Sequence, residues 1–155
     1  MKLQVATRLA LYAVLELAAD PGKQFAAAEI AERFSISVNH LSKVLRTLGR
    51  AGYVEAVRGS GGGYRFRGNA KRVTLLDLIQ LFEDVGPNEH AAEEPGESSA
   101  EGRALRRVLD EIDDIARATL SSITLATLLK LMADLPRAAQ ESPGGRGRRA
   151  SRAGG

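Results

Sequence analysis

Asn39, Lys43, Arg46 and Arg50 fall at i, i+4, i+7 and i+11, which gathers them into one polar and basic stripe if the segment is helical. An asparagine amide carries both a donor and an acceptor and can match the edge of adenine; lysine and arginine donate to guanine or to phosphate oxygens. His40 can meet either a base or the sugar–phosphate backbone. A little further on, Arg58 opens the run Gly59-Ser60-Gly61-Gly62-Gly63. A guanidinium at the tip of such a run can reach a minor groove, where a narrow A·T-rich tract attracts it. The glycines leave room for backbone amides to approach phosphates.

These side chains need a particular scaffold. Val38, Leu41, Val44 or Leu45, and Leu48 recur at helical spacing and supply the buried face of a helix from Val38 to Arg50. Ser37 is suited to cap its start, and Ala51-Gly52 to end it. Tyr53–Val57 and Tyr64–Arg67 then alternate as two strands joined by the glycine-rich tip. Ala26–Phe34 reads as a preceding helix with an uncapped start, and Ser35-Ile36-Ser37 as the turn between the two. Helix, turn, helix and hairpin make a winged helix-turn-helix whose recognition helix offers its N-terminal side chains to a major groove. An ordinary solvated helix face would show the same stripe; the hairpin behind it favours the nucleic-acid reading.

The rest of the chain supports that head. A first helix, Val5–Ala19, is apolar nearly all round apart from Arg8 and Glu16, so it belongs in a core or under a partner subunit. Thr74 should cap a fourth helix through Phe82. A long helix over about residues 101–122 carries Leu105, Leu109, Ile112, Ile115, Ala116, Leu120 and, just beyond it, Ile123 as an apolar stripe that needs a surface to cover it. A short helix, Leu125–Ala133, follows. The expected fold is mainly α with a small β-hairpin: a winged helix-turn-helix domain over 1–85, a flexible acidic loop over 86–102, dimerisation helices over 103–135 and a disordered basic tail over 136–155.

Charge is unevenly spread along the 155 residues. Residues 1–82 hold twelve Lys/Arg against six Asp/Glu, whereas 83–114 hold eleven acids against three bases. A basic head suits a polyanion. Arg146, Arg148, Arg149 and Arg152 in the tail either add phosphate contacts of no sequence preference or are an unremarkable chain end. There is no cysteine, which excludes disulfides, thiolate metal sites and thiol sensing. No apolar run is long enough to span a membrane and no signal-peptide pattern opens the chain, so the cytoplasm is the expected compartment. The Gly-Ser-Gly-Gly-Gly run is not a nucleotide loop, because neither Gly-Lys-Ser/Thr nor a helix follows it. No nucleophile–base or paired-carboxylate arrangement stands out, so an enzyme is not expected. A protein-interaction module acting through the long helix and tail is the alternative to a regulator.

Ile36-Ser37-Val38-Asn39-His40-Leu41 through Leu48, then Gly52-Tyr53-Val54 and Val57-Arg58-Gly59-Ser60-Gly61-Gly62-Gly63-Tyr64, resemble the Rrf-two family of bacterial regulators. Met1-Lys2-Leu3, Ala10-Leu11-Tyr12-Ala13 and Val73-Thr74-Leu75-Leu76-Asp77-Leu78-Ile79 are similar too, so the resemblance spans roughly residues 1–135. It implies a homodimer joined through the long helix and a palindromic operator in double-stranded DNA. It further implies recognition-helix contacts over Ser37, Asn39, His40, Ser42, Lys43 and Arg46, and wing contacts over Arg58, Gly59, Ser60, Gly61 and Tyr64. Many members hold an iron–sulfur cluster through cysteines in the loop before the long helix. Here that loop has Glu89, His90, Glu93, Glu94 and Glu97 and no cysteine, and Arg8 stands near where some members have an acidic ligand. A repressor without cluster, metal or other cofactor is expected, with an effector left open.

Overall fold

The computed structural model describes residues 1–59, 61–86 and 94–136. Ser60, Glu89, His90, Glu93 and the basic tail lie outside the described residues. The elements run α1 (Val5–Ala19), α2 (Ala27–Arg33), α3 (Val38–Arg50), β1 (Val54–Val57), β2 (Gly63–Phe66), α4 (Leu75–Ile79), α5 (Ala100–Ser122) and α6 (Leu125–Asp134). The architecture is a winged helix followed by a long helix, as the residue pattern implies.

Helix α1 is the hub. It packs against α3, β2, α4 and α6, and it buries Leu9, Ala10, Leu11, Ala13, Val14, Leu17 and Ala18. Most of its apolar circumference thus goes into its own domain, while Val5 and Tyr12 stay exposed. Leu41, Val44, Leu45 and Leu48 of α3 meet it from below, and Ile30 and Ala31 of α2 close the side. Each fully buried leucine or isoleucine contributes roughly 1.5–3 kcal/mol relative to exposure, so this cluster is what orients α3. Val38 departs from expectation: it is 46% exposed rather than part of the buried face. It is the first residue of α3, where the helix has not yet descended into the core.

Helix α2 begins with a capping interaction that composition hides. The Glu29 carboxylate accepts a hydrogen bond from the Ala26 backbone N–H at 3.1 Å, in the role a Ser or Thr cap leaves open. Thr74 and Asp77 cap α4 reciprocally, each side chain accepting from the other's backbone N–H at 3.2 and 2.8 Å. The helix itself stops at Ile79, three residues short of the expected Phe82, and tightens into turns through Leu81 and Phe82. The chain returns to the head at the end of α5: Leu75 N–H donates to Ile123 O and Leu125 N–H to Val73 O, both at 2.9 Å. Leu125 is thereby fully buried, and α6 packs on α1.

Candidate nucleic-acid interface

The recognition helix is positioned by its apolar side and its cap. Ser37 Oγ accepts from the His40 backbone N–H at 3.3 Å, fixing the first turn of α3. With Leu41, Val44, Leu45 and Leu48 inward, Asn39, His40, Lys43, Arg46 and Arg50 are all exposed, while Ser42 is half-buried. None of the three ion pairs among the described residues involves Lys43, Arg46, Arg50 or Arg58. The outer face of α3 and the wing tip therefore carry positive charge that no described carboxylate neutralises.

The wing is anchored on both sides. Strands β1 and β2 pair antiparallel, with Val54 opposite Phe66 and Val57 opposite Gly63, and the base is buried through Val54 and Phe66. Tyr53 N–H donates to Leu48 O at 3.0 Å, carrying the end of α3 directly into β1. A third strand-like segment, missed by pattern reading, flanks β2: Phe25 and Tyr64 exchange both backbone hydrogen bonds, at 2.9 and 2.8 Å. Phe25 sits in a short stretch after Pro21-Gly22, too brief to show an alternation. Its ring carries the Lys23 ammonium 4.6 Å from the ring centre, a contact of about 0.5–1 kcal/mol at an exposed site.

This anchoring gives two of the wing glycines a reason within the fold. A Cβ on Gly63 would lie 2.4 Å from Phe25 O, and one on Gly62 would lie 2.5 Å from Val57 O. Gly62 N–H closes the turn by donating to Gly59 O at 2.9 Å. Arg58 projects from this tight tip, exposed. Arg65, also exposed, is instead committed to Glu55 directly across the ladder. Tyr64 is half-buried with its ring against the core, which makes it a support of the wing. Tyr53 lies at the wing's base, where burial, and secondarily the Asp77 carboxylate, raise its phenol pKa above 10.0.

The sequence matches the Rrf2 family model, described as iron-dependent transcriptional regulator, over residues 3–131. The chain belongs to the Rrf2 family. It is 52% identical over 154 residues to BadM of Rhodopseudomonas palustris, named as an HTH-type transcriptional regulator, covering 99% of this chain and 97% of that one. It is 41% identical over 85 residues to the HTH-type transcriptional regulator NsrR of Bacillus subtilis, covering 54% of this chain and 58% of that one. Among solved structures, CymR, the global cysteine regulator of B. subtilis, superposes with a TM-score of 0.70 at 27% identity, covering 84% of this chain and 98% of its own. IscR of T. potens superposes at 0.64 with 26% identity, covering 93% and 94%. As an Rrf2 protein the chain is a winged-helix transcriptional regulator.

The family's iron is a test of this chain's donors. Thiolates hold iron–sulfur clusters, and the sequence has none. Glu97, in the described part of the loop, is paired with Arg106, and no group of three or more His, Asp or Glu suited to a metal occurs among the described residues. The residues present do not fit a cysteine-ligated cluster.

Proposed function

We propose that this Rrf2 protein is a cytoplasmic repressor that binds a palindromic operator as a homodimer and responds to a signal other than an iron–sulfur cluster. The observation that carries this reading is the exposed, unpaired row Asn39, Lys43 and Arg46 on a capped α3, beside a wing that presents Arg58. Asn39 and His40, at the N-terminal end of α3, face base edges; Lys43 and Arg46 contact guanine or phosphate. Arg58 enters the flanking minor groove, where the negative potential of A·T tracts draws a guanidinium. Ser37 and Ser42 donate to phosphates, while Gly59, Ser60 and Gly61 bring the wing backbone close to the strand. Two such heads, joined through the Leu105–Ile115 side of α5, suit half-sites about one turn of DNA apart.

The test is selection of bound duplexes from a random pool with the purified protein and with Arg58→Ala. A palindrome enriched by the native chain, and bound with weaker preference at its flanking A·T positions by the variant, is the expected outcome. Recovery of no preferred sequence, with weak binding of flat salt dependence, overturns the operator reading and favours a module that acts through protein contacts. A reporter behind the selected operator decides the sign: expression rises on removing the protein if it represses.

A further inference from the structure

The base of the wing gathers cations that play no part in the proposed operator contacts. Arg67 N–H donates to Tyr53 O at 3.0 Å, which sets Arg67 beside the chain as it leaves the last turn of α3, where Arg50 stands. Shortly after, a tight turn presents Lys71 and Arg72. Lys71 N–H donates to Asn69 Oδ1 at 3.0 Å, and Arg72 N–H to Asn69 O at 2.9 Å. Ala126 N–H donates to Ala70 O at 2.8 Å and ties the turn to the start of α6. Arg50, Arg67, Lys71 and Arg72 are all exposed, and none forms an ion pair among the described residues. The carboxylates near this base are engaged already, Glu55 with Arg65 and Asp77 with the Thr74 backbone N–H. Half-buried Tyr53 stands among the cations, its phenol held protonated beyond its ordinary range by burial.

We infer that this face docks an acidic segment of a partner protein while the other end of the head is on DNA. Distance separates the two ends. Asn39 and Arg50 lie about 16 Å apart along the axis of α3. A similar length of strand, about 16 Å, separates Arg58 at the wing tip from Tyr53 and Arg67 at its base. A duplex held by Asn39, His40 and Arg58 therefore leaves Arg67, Lys71 and Arg72 open. Composition favours protein over nucleic acid. Arginine and tyrosine are enriched at protein interfaces, where guanidinium forks match carboxylates and a phenol adds apolar area with a polar tip. Because backbone hydrogen bonds already hold the turn and the wing base, little ordering is left to oppose binding. The inference rests on the operator reading for which end faces DNA, and adds a second partner at the opposite end.

The test uses the full chain and a fluorescein-labelled peptide of alternating glutamate and alanine, followed by anisotropy at low salt. Arg67→Glu with Arg72→Glu is expected to weaken peptide binding roughly tenfold, as reversal of two exposed charges in a cluster implies. Arg67→Gln with Arg72→Gln, which removes charge without reversing it, is expected to fall between that variant and the native chain. Saturating operator duplex leaves the peptide bound to the native chain, and the reversed variant binds the operator with unchanged affinity and salt dependence. Peptide binding that survives both substitutions overturns the inference and assigns the affinity to other basic residues, Arg148 and Arg149 of the tail included. Absence of binding by the native chain overturns it as well. So does loss of operator affinity with a shallower salt dependence, because the face then holds DNA phosphates. The titration is run with and without DNA, so a native chain that selects no duplex sinks the operator reading and is told apart from failure of the peptide to bind.

Discussion

Helices α1 and α5 are both rich in large apolar residues, yet the first buries eight of its fifteen residues and the second buries one of twenty-three. Helix α1 is enclosed by α3, β2, α4 and α6 of its own chain, so its side chains stabilise the head whether or not another molecule is present. Helix α5 leans on α4, and only Leu120, 7% exposed, turns fully into its own core; Ala116 and Ile123 are half-buried. Leu105, Leu109, Ile112 and Ile115 stay outside. The lesson is that apolar content measures how much surface must be covered, and only packing says by what.

The contrast can be broken at its strongest point. Leu45 is fully buried in the head, and Leu45→Ala is expected to lower unfolding free energy by about 2–5 kcal/mol in urea titration. A loss below about 1 kcal/mol contradicts the view that α1 and α3 share one close-packed core. Ile112→Asp gives the opposite signature. On the homodimer proposal, it is expected to remove a rise of melting temperature with protein concentration while leaving the helical circular-dichroism signal of the head in place. Loss of the helical signal means that α5 supports the head directly.

Two smaller effects sharpen the account of the head. Thr7 is wholly buried and its hydroxyl has no hydrogen-bond partner among the described residues, so Thr7→Val should raise stability by about 1 kcal/mol. A destabilised variant means that the hydroxyl has a partner in solution. Tyr53 supplies a pH dependence. Its folded-state pKa lies above its unfolded value of 10.0, so the phenol's contribution is complete below pH 10 and is lost as pH rises through the folded value. Stability should fall above about pH 10, and Tyr53→Phe should lessen that fall. An identical decline in both proteins assigns it elsewhere.

Much of this was legible in order along the chain. The periodicity of Leu41, Val44, Leu45 and Leu48 with Ser37 ahead of it marks α3 at its observed bounds, because cap and stripe are local features. The alternation either side of the glycine run marks the hairpin to within one residue. What was not legible depends on neighbours distant in sequence. The early stop of α4 at Ile79, the bridge of Phe25 to Tyr64 and the burial of Leu120 each follow from contacts that no short window contains.

Residue types and spacing alone determined that this chain builds a winged helix with a polar and basic outer face on α3, that it has no thiolate to offer a metal, and that α5 carries an apolar stripe. Tertiary structure decided that Arg58 forms no ion pair among the described residues while Arg65 is held by Glu55, that Gly62 and Gly63 answer to backbone packing, and that α1 is enclosed while α5 is not. The reason is physical: caps, periods and charges act over a few residues, whereas burial and ion pairing are settled by whichever distant segment the fold brings alongside.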